Sequence, residues 1–210
     1  MADLSFVYGT MESGKTTKLL QDNYNYCRHG HKTILVKPKV DTKGGTKVIN
    51  RINDCKDVAL LMSSKDSFLD KKHLKVIHDA KVILVDEAQF FTTKQIEELW
   101  RVAHILNIQV ICYGLKNDFR GIPFEGSIAL FGFADHKTEL TVRCECGEIA
   151  NFNARLVNNK FTRDGDVVAI DGDKNVSYVP LCSDCYLKYV ILGDKVQELL
   201  QLKRLAKEEK

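Results

Sequence analysis

A glycine-rich stretch near the start of the chain constrains its fold more than any other feature. Gly9 is followed, after four residues, by Gly14, Lys15 and Thr16. This spacing is that of the phosphate-binding P-loop, provided that an apolar strand precedes it and a helix follows. Both neighbours are predicted here, because Leu4–Tyr8 is a short apolar run and a helix is predicted from Lys15. A glycine turn that caps an ordinary helix is the alternative, and it does not explain this context.

The residue types of this loop and of a second motif indicate phosphoryl transfer. Backbone N–H groups at the glycines can face phosphate oxygens, Lys15 can contact the β and γ phosphates, and Thr16 can hold Mg²⁺. The second motif, VILVDEAQFF, is a predicted buried strand that closes on two carboxylates. Asp86 is expected to hold the metal and Glu87 to accept a proton from an attacking hydroxyl, unless the pair is a solvated acidic turn. ATP is the expected donor, and water or an alcohol the acceptor.

The order of the predicted elements favours an α/β fold, with a P-loop NTPase-type parallel sheet flanked by helices. Further strands are predicted at TILVK, KVILVDE and IQVICYGL, and a helix at TTKQIEELWRVAHILN. Thr92 and Gln95 have the spacing of a capping box at the start of that helix. Strands that alternate with helices pair in parallel. The polar stretch KPKVDTKGGTKVINRINDC lacks periodicity and is predicted to be a mobile loop.

The seven cysteines fall into two groups. Cys27, Cys55 and Cys112 are scattered and are predicted to be apolar residues of a reduced interior. The other four cluster late as CEC and CSDC, which favours a metal over disulfides in a chain without a recognisable secretion signal. We expect three segments: a P-loop ATP-binding α/β domain (1–139), a small β-rich domain stapled by a metal (140–192) and a charged C-terminal tail (193–210).

Composition argues against several classes of protein. A net charge of +3 with 28% charged residues lacks the basic excess of a dedicated nucleic-acid binder. No stretch approaches the 18 or more apolar residues that a membrane span requires. We therefore expect a cytoplasmic protein with neither nucleic acid nor a membrane as its partner.

Six segments, taken in order, resemble the type II (cytosolic-type) thymidine kinase family. They are GTMESGKTT, ILVKPKVDTK, VDEAQFF, YGLKNDFRGIPFEGS, ELTVRCECG and VPLCSDCY, and the resemblance around them covers nearly the whole chain, from Phe6 to Tyr189. The resemblance implies an enzyme that transfers the γ-phosphate of ATP to the 5′-hydroxyl of thymidine, giving dTMP and ADP for DNA precursor synthesis. It also implies Mg²⁺ with ATP, structural Zn²⁺, feedback inhibition by dTTP and a homotetramer.

The resemblance also implies roles for particular residues. Glu87 falls on the position of the catalytic base, and Phe119 falls where an aromatic ring stacks on thymine, an interaction worth about 1–3 kcal/mol. Met11, Phe90 and Leu115 are expected to line the base pocket, although each could equally belong to the core. The residues expected to bind the nucleoside are Phe119, Tyr178 and a loop made of Val167, Val168, Ala169, Ile170, Asp171 and Gly172.

Two larger sets complete the implied site. The residues expected to bind ATP and Mg²⁺ are Gly9, Thr10, Met11, Glu12, Ser13, Gly14, Lys15, Thr16, Asp41, Lys43, Asp86, Glu87, Ala88 and Gln89. The expected zinc ligands are Cys144, Cys146, Cys182 and Cys185. The first cysteine pair encloses one residue where the family usually has two, so either the chain bulges and both cysteines ligate, or one position is lost and zinc binding weakens.

Two other functions remain open from the sequence. A P-loop ATPase that acts on nucleic acid would use the cysteine segment as a zinc ribbon, and its ATP turnover would rise with DNA or RNA. The mixed charges between residues 142 and 189 show no basic stripe for that role. A non-enzymatic zinc-binding interaction protein would have a degenerate nucleotide site, whereas Lys15, Thr16 and Asp86 are intact.

Overall fold

A parallel β-sheet forms the centre of the larger part of the molecule. The computed structural model describes residues 1–42, 45–49, 55–166 and 175–193. The strands in this part of the chain are β1 (Leu4–Tyr8), β2 (Thr33–Pro38), β3 (Lys47–Ile49), β4 (Cys55–Asp57), β5 (Leu60–Met62), β6 (Val82–Val85), β7 (Gln109–Gly114), β8 (His136–Glu139), β9 (Phe152–Val157), β10 (Lys160–Thr162) and β11 (Val176–Leu181). Six of them form one sheet in the order β5-β2-β6-β7-β1-β8, and every pair in it is parallel. The predicted α/β fold with a parallel sheet is confirmed.

Helices cover both faces of this sheet. They are α1 (Lys15–Arg28), α2 (Lys71–Ile77), α3 (Thr93–Leu106) and α4 (Glu125–Phe133), with a 3₁₀ turn at Ala88–Phe90. Helix α5 (Ser183–Tyr186) and the π-helical turn at Leu187–Leu192 that follows it lie elsewhere, because α5 packs against β9 and β11. Strand β6 shows why both faces need cover: Val82 and Leu84 pack in the cluster on the α1 side, whereas Ile83 and Val85 pack in the cluster with α3 and α4. A strand buried on both faces explains its unbroken apolar run.

The predicted capping box at the start of α3 is present. The Thr92 side chain accepts a hydrogen bond from the N–H of Gln95 at 3.3 Å, and the N–H of Thr92 donates to the Gln95 side chain at 3.1 Å. Two otherwise unpaired donors are thereby satisfied, so the helix starts directly after the turn that follows Glu87.

The stretch that was predicted to be a mobile loop contains regular structure, so that prediction is wrong for its described part. Strands β3 and β4 form an antiparallel pair, and Val48 is only 1% exposed because it packs in the cluster beside α1. The two strands are three residues long, too short for a periodic pattern to reveal them.

The interior placement of the scattered cysteines is confirmed for one of three. Cys112 is buried in β7, but Cys27 and Cys55 are exposed. Cys27 lies in the last turn of α1 with its Sγ 3.3 Å from the Thr33 hydroxyl, and Cys55 lies in the exposed strand β4. Cysteine is often buried as a type, but that tendency does not fix the position of an individual residue.

A second, smaller sheet follows the first in sequence. Strands β10, β9 and β11 form an antiparallel sheet in that order, with a small apolar cluster of its own. The division of the chain at residues 139 and 192 stays a prediction, and the tail from 194 to 210 lies outside the described residues. Among the helices of the described chain, none has the length and apolar character that crossing a membrane requires.

Candidate active site

Three loops converge at one edge of the large sheet. Strands β6, β7 and β1 are neighbours and run in parallel, so the segments that follow them emerge at the same edge. These segments are the glycine loop after β1, the carboxylates Asp86 and Glu87 after β6, and the turn that contains Phe119 after β7. The carboxyl edge of a parallel sheet is where α/β proteins bind their ligands.

The glycine loop has the geometry of a phosphate cradle. Gly14 has φ +81°, a conformation that favours glycine, and it starts α1 without any side-chain cap. The first amides of that helix carry the positive end of its dipole. Lys15 Nζ lies over the loop and donates to the carbonyl oxygens of Gly9 at 3.2 Å and Thr10 at 2.6 Å. The cradle thus combines backbone donors with a fixed cation.

Backbone packing behind the loop explains the first glycine. A Cβ atom at Gly9 would overlap the carbonyl oxygen of Leu140 and the hydroxyl of Ser13. Thr10 is 7% exposed, and its hydroxyl has no hydrogen-bond partner among the described residues. The loop therefore rests tightly on the chain that follows β8.

The carboxylates at the end of β6 form an acidic cluster that favours a cation. Asp86 is 6% exposed, and burial raises the pKa of its carboxyl; the neighbouring charges of Glu87 and Asp41 raise that pKa further. Lys37, buried in β2, pairs with Asp41 at 2.8 Å. Carboxylate and hydroxyl oxygens are the ligands that Mg²⁺ prefers, so the residue types of Asp86 and Thr16 suit that ion, and their assignment to it stays a prediction.

The backbone and one side chain fix the orientation of Glu87. Its φ is +48°, an uncommon value for a non-glycine residue, so the chain leaves the strand direction immediately after Asp86. Glu87 Oε2 accepts a hydrogen bond from Gln89 Nε2 at 2.5 Å, and Gln89 Oε1 accepts one from the N–H of Leu115 at 3.0 Å. Gln89 is 2% exposed, so its amide links the carboxylate to the segment after β7.

A close approach of α4 holds this turn in place. A Cβ atom at Gly126 would lie 2.6–2.8 Å from the carbonyl oxygens of Phe91, Ala88 and Gln89. These are backbone atoms, which cannot move aside as a flexible side chain can. The glycine therefore lets α4 support the 3₁₀ turn that presents Glu87.

Phe119 lies in a tight turn whose shape is set by Asp118. The Asp118 carboxylate accepts hydrogen bonds from the N–H groups of Arg120 and Ile122, each at 2.9 Å, and forms an ion pair with the Arg120 guanidinium at 2.7 Å. Phe119 itself is 3% exposed, and its carbonyl oxygen accepts a hydrogen bond from Tyr186 at 2.7 Å. The turn is thus stabilised by its own Asp118 side chain and by Tyr186 of α5, which packs against the smaller sheet.

Arg155 of β9 covers the Phe119 ring. The guanidinium carbon lies 5.1 Å from the ring centroid, a cation–π contact. Its Nη1 atom donates to the carbonyl oxygens of Asp164 and Asp166 at 3.3 Å. Gly165, with φ +107°, leaves room for this guanidinium, because a Cβ atom there would overlap Nη1. The Tyr178 ring of β11 lies 6.4 Å from the Phe119 ring.

The four clustered cysteines meet in space. Their ligand atoms all lie within 4.8 Å of one another, and Cys146 Sγ is 3.5 Å from Cys182 Sγ. Cys144 and Cys146 lie in a turn closed by the Gly147 N–H, which donates to the carbonyl of Cys144 at 2.8 Å. Tetrahedral zinc with bonds of about 2.3 Å to sulfur separates its ligands by slightly under 4 Å. The cluster therefore fits a closed structural metal site in which both cysteines of the short pair take part.

Other predicted site residues occupy varied positions. Leu115 is 9% exposed and Ala88 is buried in the core, whereas Met11 and Phe90 are half-buried and Glu12 is exposed. Phe90 makes an edge-to-face contact with Phe124 at 5.5 Å. Lys43 and residues 167–172 lie outside the described part of the chain. The assignment of these residues to ATP or nucleoside stays a prediction.

Two residues of β9 that contact the site were not among the sequence predictions. Asn153 and Arg155 lie two residues apart on the same face of the strand, and both are buried. Arginine is seldom buried without a partner, but the burial of Arg155 is known only from the structure. Nothing in the sequence indicates which distant loops these side chains contact.

The fold and the site define a P-loop nucleotide-binding protein with an attached cysteine cluster. The sequence profile of the family described as Thymidine kinase matches residues 2–186. A thymidine kinase of Pasteurella multocida (strain Pm70) is 40% identical over 91% of this chain and 100% of its own length, and one of Colwellia psychrerythraea is 38% identical over 87% and 95%. The chain belongs to the thymidine kinase family, and it is a kinase.

Two solved structures that match this chain resemble it only weakly. AMPPCP-bound DnaA from Aquifex aeolicus superposes with a TM-score of 0.42 at 15% identity, covering 67% of this chain and 40% of that one. Bacteroides Pif1 bound to ssDNA gives a TM-score of 0.39 at 16% identity, covering 66% and 38%. Likenesses this weak carry no argument about function, so they do not support the nucleic-acid ATPase considered from the sequence.

Proposed function

We propose that the chain transfers the γ-phosphoryl group of ATP to the 5′-hydroxyl of thymidine, giving dTMP and ADP. The observation that carries this proposal is the convergence of three elements at one sheet edge: the phosphate cradle, the half-buried carboxylate of Glu87 and the Phe119 turn. A donor site and an aromatic acceptor site beside a carboxylate are what a nucleoside kinase requires. Family membership supports thymidine as the nucleoside.

The proposed chemistry assigns each group one task. The amides at the start of α1 and Lys15 hold the phosphates, and Thr16 and Asp86 would hold Mg²⁺, which neutralises phosphate charge when bound. The 5′-oxygen of thymidine forms a bond to the γ-phosphorus while the bond from that phosphorus to the β–γ bridging oxygen breaks. Glu87 accepts the proton of the hydroxyl, and ADP departs with the bridging oxygen.

The cysteine cluster is proposed to hold structural zinc. Four thiolates in a closed arrangement leave no open position for substrate, so the metal would stabilise and not catalyse. The distances between the sulfur atoms support this reading, including ligation by both Cys144 and Cys146. Tyr186 lies one turn after Cys182 and donates a hydrogen bond to the carbonyl of Phe119, so a bound metal would also stabilise the backbone at Phe119.

Further proposals rest on the family alone. They are inhibition by dTTP as the end product, a homotetrameric assembly, a cytoplasmic location and a role in supplying precursors for DNA synthesis. We further propose that residues 167–172 contact the base and that Tyr178 contacts the sugar. The short distance between the Tyr178 and Phe119 rings supports the last of these.

A direct assay tests the proposed reaction. The purified zinc-loaded chain is incubated with Mg-ATP, with and without thymidine, while ADP and dTMP are both quantified. We expect ADP to form only with thymidine and in equal amount to dTMP. ADP release without thymidine, or release stimulated by DNA while no dTMP forms, would overturn the proposal in favour of an ATPase.

Loss of the stacking ring should weaken nucleoside binding selectively. We expect Phe119→Ala to raise the KM for thymidine about tenfold or more, because base stacking on an aromatic ring contributes about 1–3 kcal/mol. The KM for ATP should stay within about threefold, and Phe119→Tyr should retain most of the affinity.

Phe133→Ala serves as the control, since Phe133 packs against Trp100 at the far end of α4 and should leave the thymidine KM unchanged. Steady-state kinetics with each substrate varied separates these effects. An unchanged thymidine KM in Phe119→Ala would remove the stacking role.

A further inference from the structure

Asn153 joins two loops of the proposed active site through one side chain. Its Oδ1 atom accepts a hydrogen bond from the N–H of Met11 at 2.7 Å, and its Nδ2 atom donates to the carbonyl oxygen of Asn117 at 3.2 Å. Met11 belongs to the glycine loop, and Asn117 lies two residues before Phe119. The partners are 142 and 36 residues away in sequence, so the bridge exists only in the folded chain.

The bridge lies where the main-chain connection between the two loops ends. Strands β1 and β7 are hydrogen-bonded neighbours, and their register ends with Tyr8 opposite Gly114. The ladder between β1 and β7 thus ends before the glycine loop and the Phe119 turn begin. Asn153, which belongs to the smaller sheet, connects the two loops again three residues past the end of each strand, at Met11 and Asn117. It therefore fixes the distance between the loops where the ladder does not reach.

The chemistry of an amide suits this position. A primary amide supplies both a donor and an acceptor without charge, which matches one backbone N–H and one backbone carbonyl. Asn153 is 4% exposed, so replacing it with an apolar residue would leave two backbone groups short of a partner in a dry setting. An aspartate of the same size would still accept from Met11 but would repel the carbonyl of Asn117.

We propose that Asn153 is a positioning residue that sets the distance between the donor phosphates and the acceptor nucleoside. The inference rests on the proposed function, because it assumes that the two loops hold the two substrates. Asn153 acts through Met11 and Asn117. An in-line transfer is sensitive to such alignment, since a displacement of about 1 Å can reduce a rate about 100-fold. Binding of either substrate alone does not require the alignment.

The test separates alignment from affinity. Asn153→Ala and Asn153→Asp are prepared in the full zinc-loaded chain, with kcat measured at saturating substrates and dissociation constants measured separately for thymidine and for a non-hydrolysable ATP analogue. We expect kcat to fall about 10–100-fold in both variants, while each dissociation constant stays within about threefold. Because aspartate keeps the volume and the Met11 contact, a loss in Asn153→Asp traces the effect to the contact with Asn117, which changes from attraction to repulsion.

Asn23→Ala is the matched control. Asn23 is a buried amide on α1 that accepts a hydrogen bond from the Thr33 hydroxyl at 2.6 Å, so its loss should lower stability without lowering kcat. An unchanged kcat in Asn153→Ala would overturn the inference, as would a rise in both dissociation constants that accounts for the lost rate. If Asn153→Ala does not fold, Asn153→Asp alone decides by the same criteria. Failure of the wild-type chain to form dTMP would instead overturn the proposed function itself.

Discussion

Glu87→Gln is expected to reduce phosphoryl transfer to thymidine by about 10²–10⁴-fold, the usual contribution of a general base. The amide cannot accept the proton of the 5′-hydroxyl, but it retains an oxygen that can accept the hydrogen bond from Gln89. The geometry of the 3₁₀ turn should therefore persist. Binding of the ATP analogue should change by less than about threefold, because the cradle and Asp86 are untouched. Single-turnover dTMP formation and analogue binding measure the two effects.

The control for this variant is Glu97→Gln. Glu97 lies on the exposed side of α3, where it pairs with Arg101. The kcat of the Glu97→Gln variant should therefore equal that of the wild type. Retained transfer in Glu87→Gln would exclude the carboxylate as the base. A parallel loss of Mg-ATP affinity would reassign Glu87 to the metal, and the base would then have to be sought elsewhere at the sheet edge.

The parts of the fold that the sequence predicts are those with local causes. The glycine loop, the buried strand β6 and the capping box of α3 each depend on residues within a few positions of one another, so their patterns are visible in the chain. The strands β3 and β4 were missed because their pairing depends on Val48 entering a cluster built by distant residues. Exposure of Cys27 follows from the rotational position of one helix residue, which composition does not indicate.

The candidate site shows the same division. Lys15, Asp86 and Glu87 are found by motif because each lies in a short sequence motif that follows a buried strand. Asn153 and Arg155 approach the site from a sheet that the chain forms more than 30 residues after the Phe119 turn. Their contacts depend on how the two sheets pack together, and no local sequence pattern indicates that packing. Gln89 hydrogen-bonds to Glu87 and to the N–H of Leu115, contacts that its motif does not reveal, and its predicted contact with ATP stays a prediction.

Replacement of a cysteine in the cluster should remove zinc and, with it, thymidine binding. Cys182 is 5% exposed and starts α5, where its Sγ accepts a hydrogen bond from the N–H of Cys185 at 3.4 Å. Structural zinc in small domains binds with an apparent free energy of about 10–16 kcal/mol, so loss of one of four ligands should lower the melting temperature strongly. Tyr186 would then lose its fixed position, and Phe119 would lose the hydrogen bond to its carbonyl.

The expected result for Cys182→Ser is therefore zinc well below one ion per chain and a thymidine dissociation constant raised by about tenfold or more. The ATP analogue should still bind, because the glycine loop belongs to the large sheet and its lysine is held by the loop's own carbonyls. Cys27→Ser, an exposed cysteine outside the cluster, should keep both zinc and affinity. Cys146→Ser tests the short pair: full zinc content in this variant would show that Cys146 is not a ligand, whereas a loss equal to that of Cys182→Ser would show that it is. Unchanged thymidine affinity in a zinc-free variant would mean that the Phe119 turn is held by Asp118 and Arg155 without help from the metal.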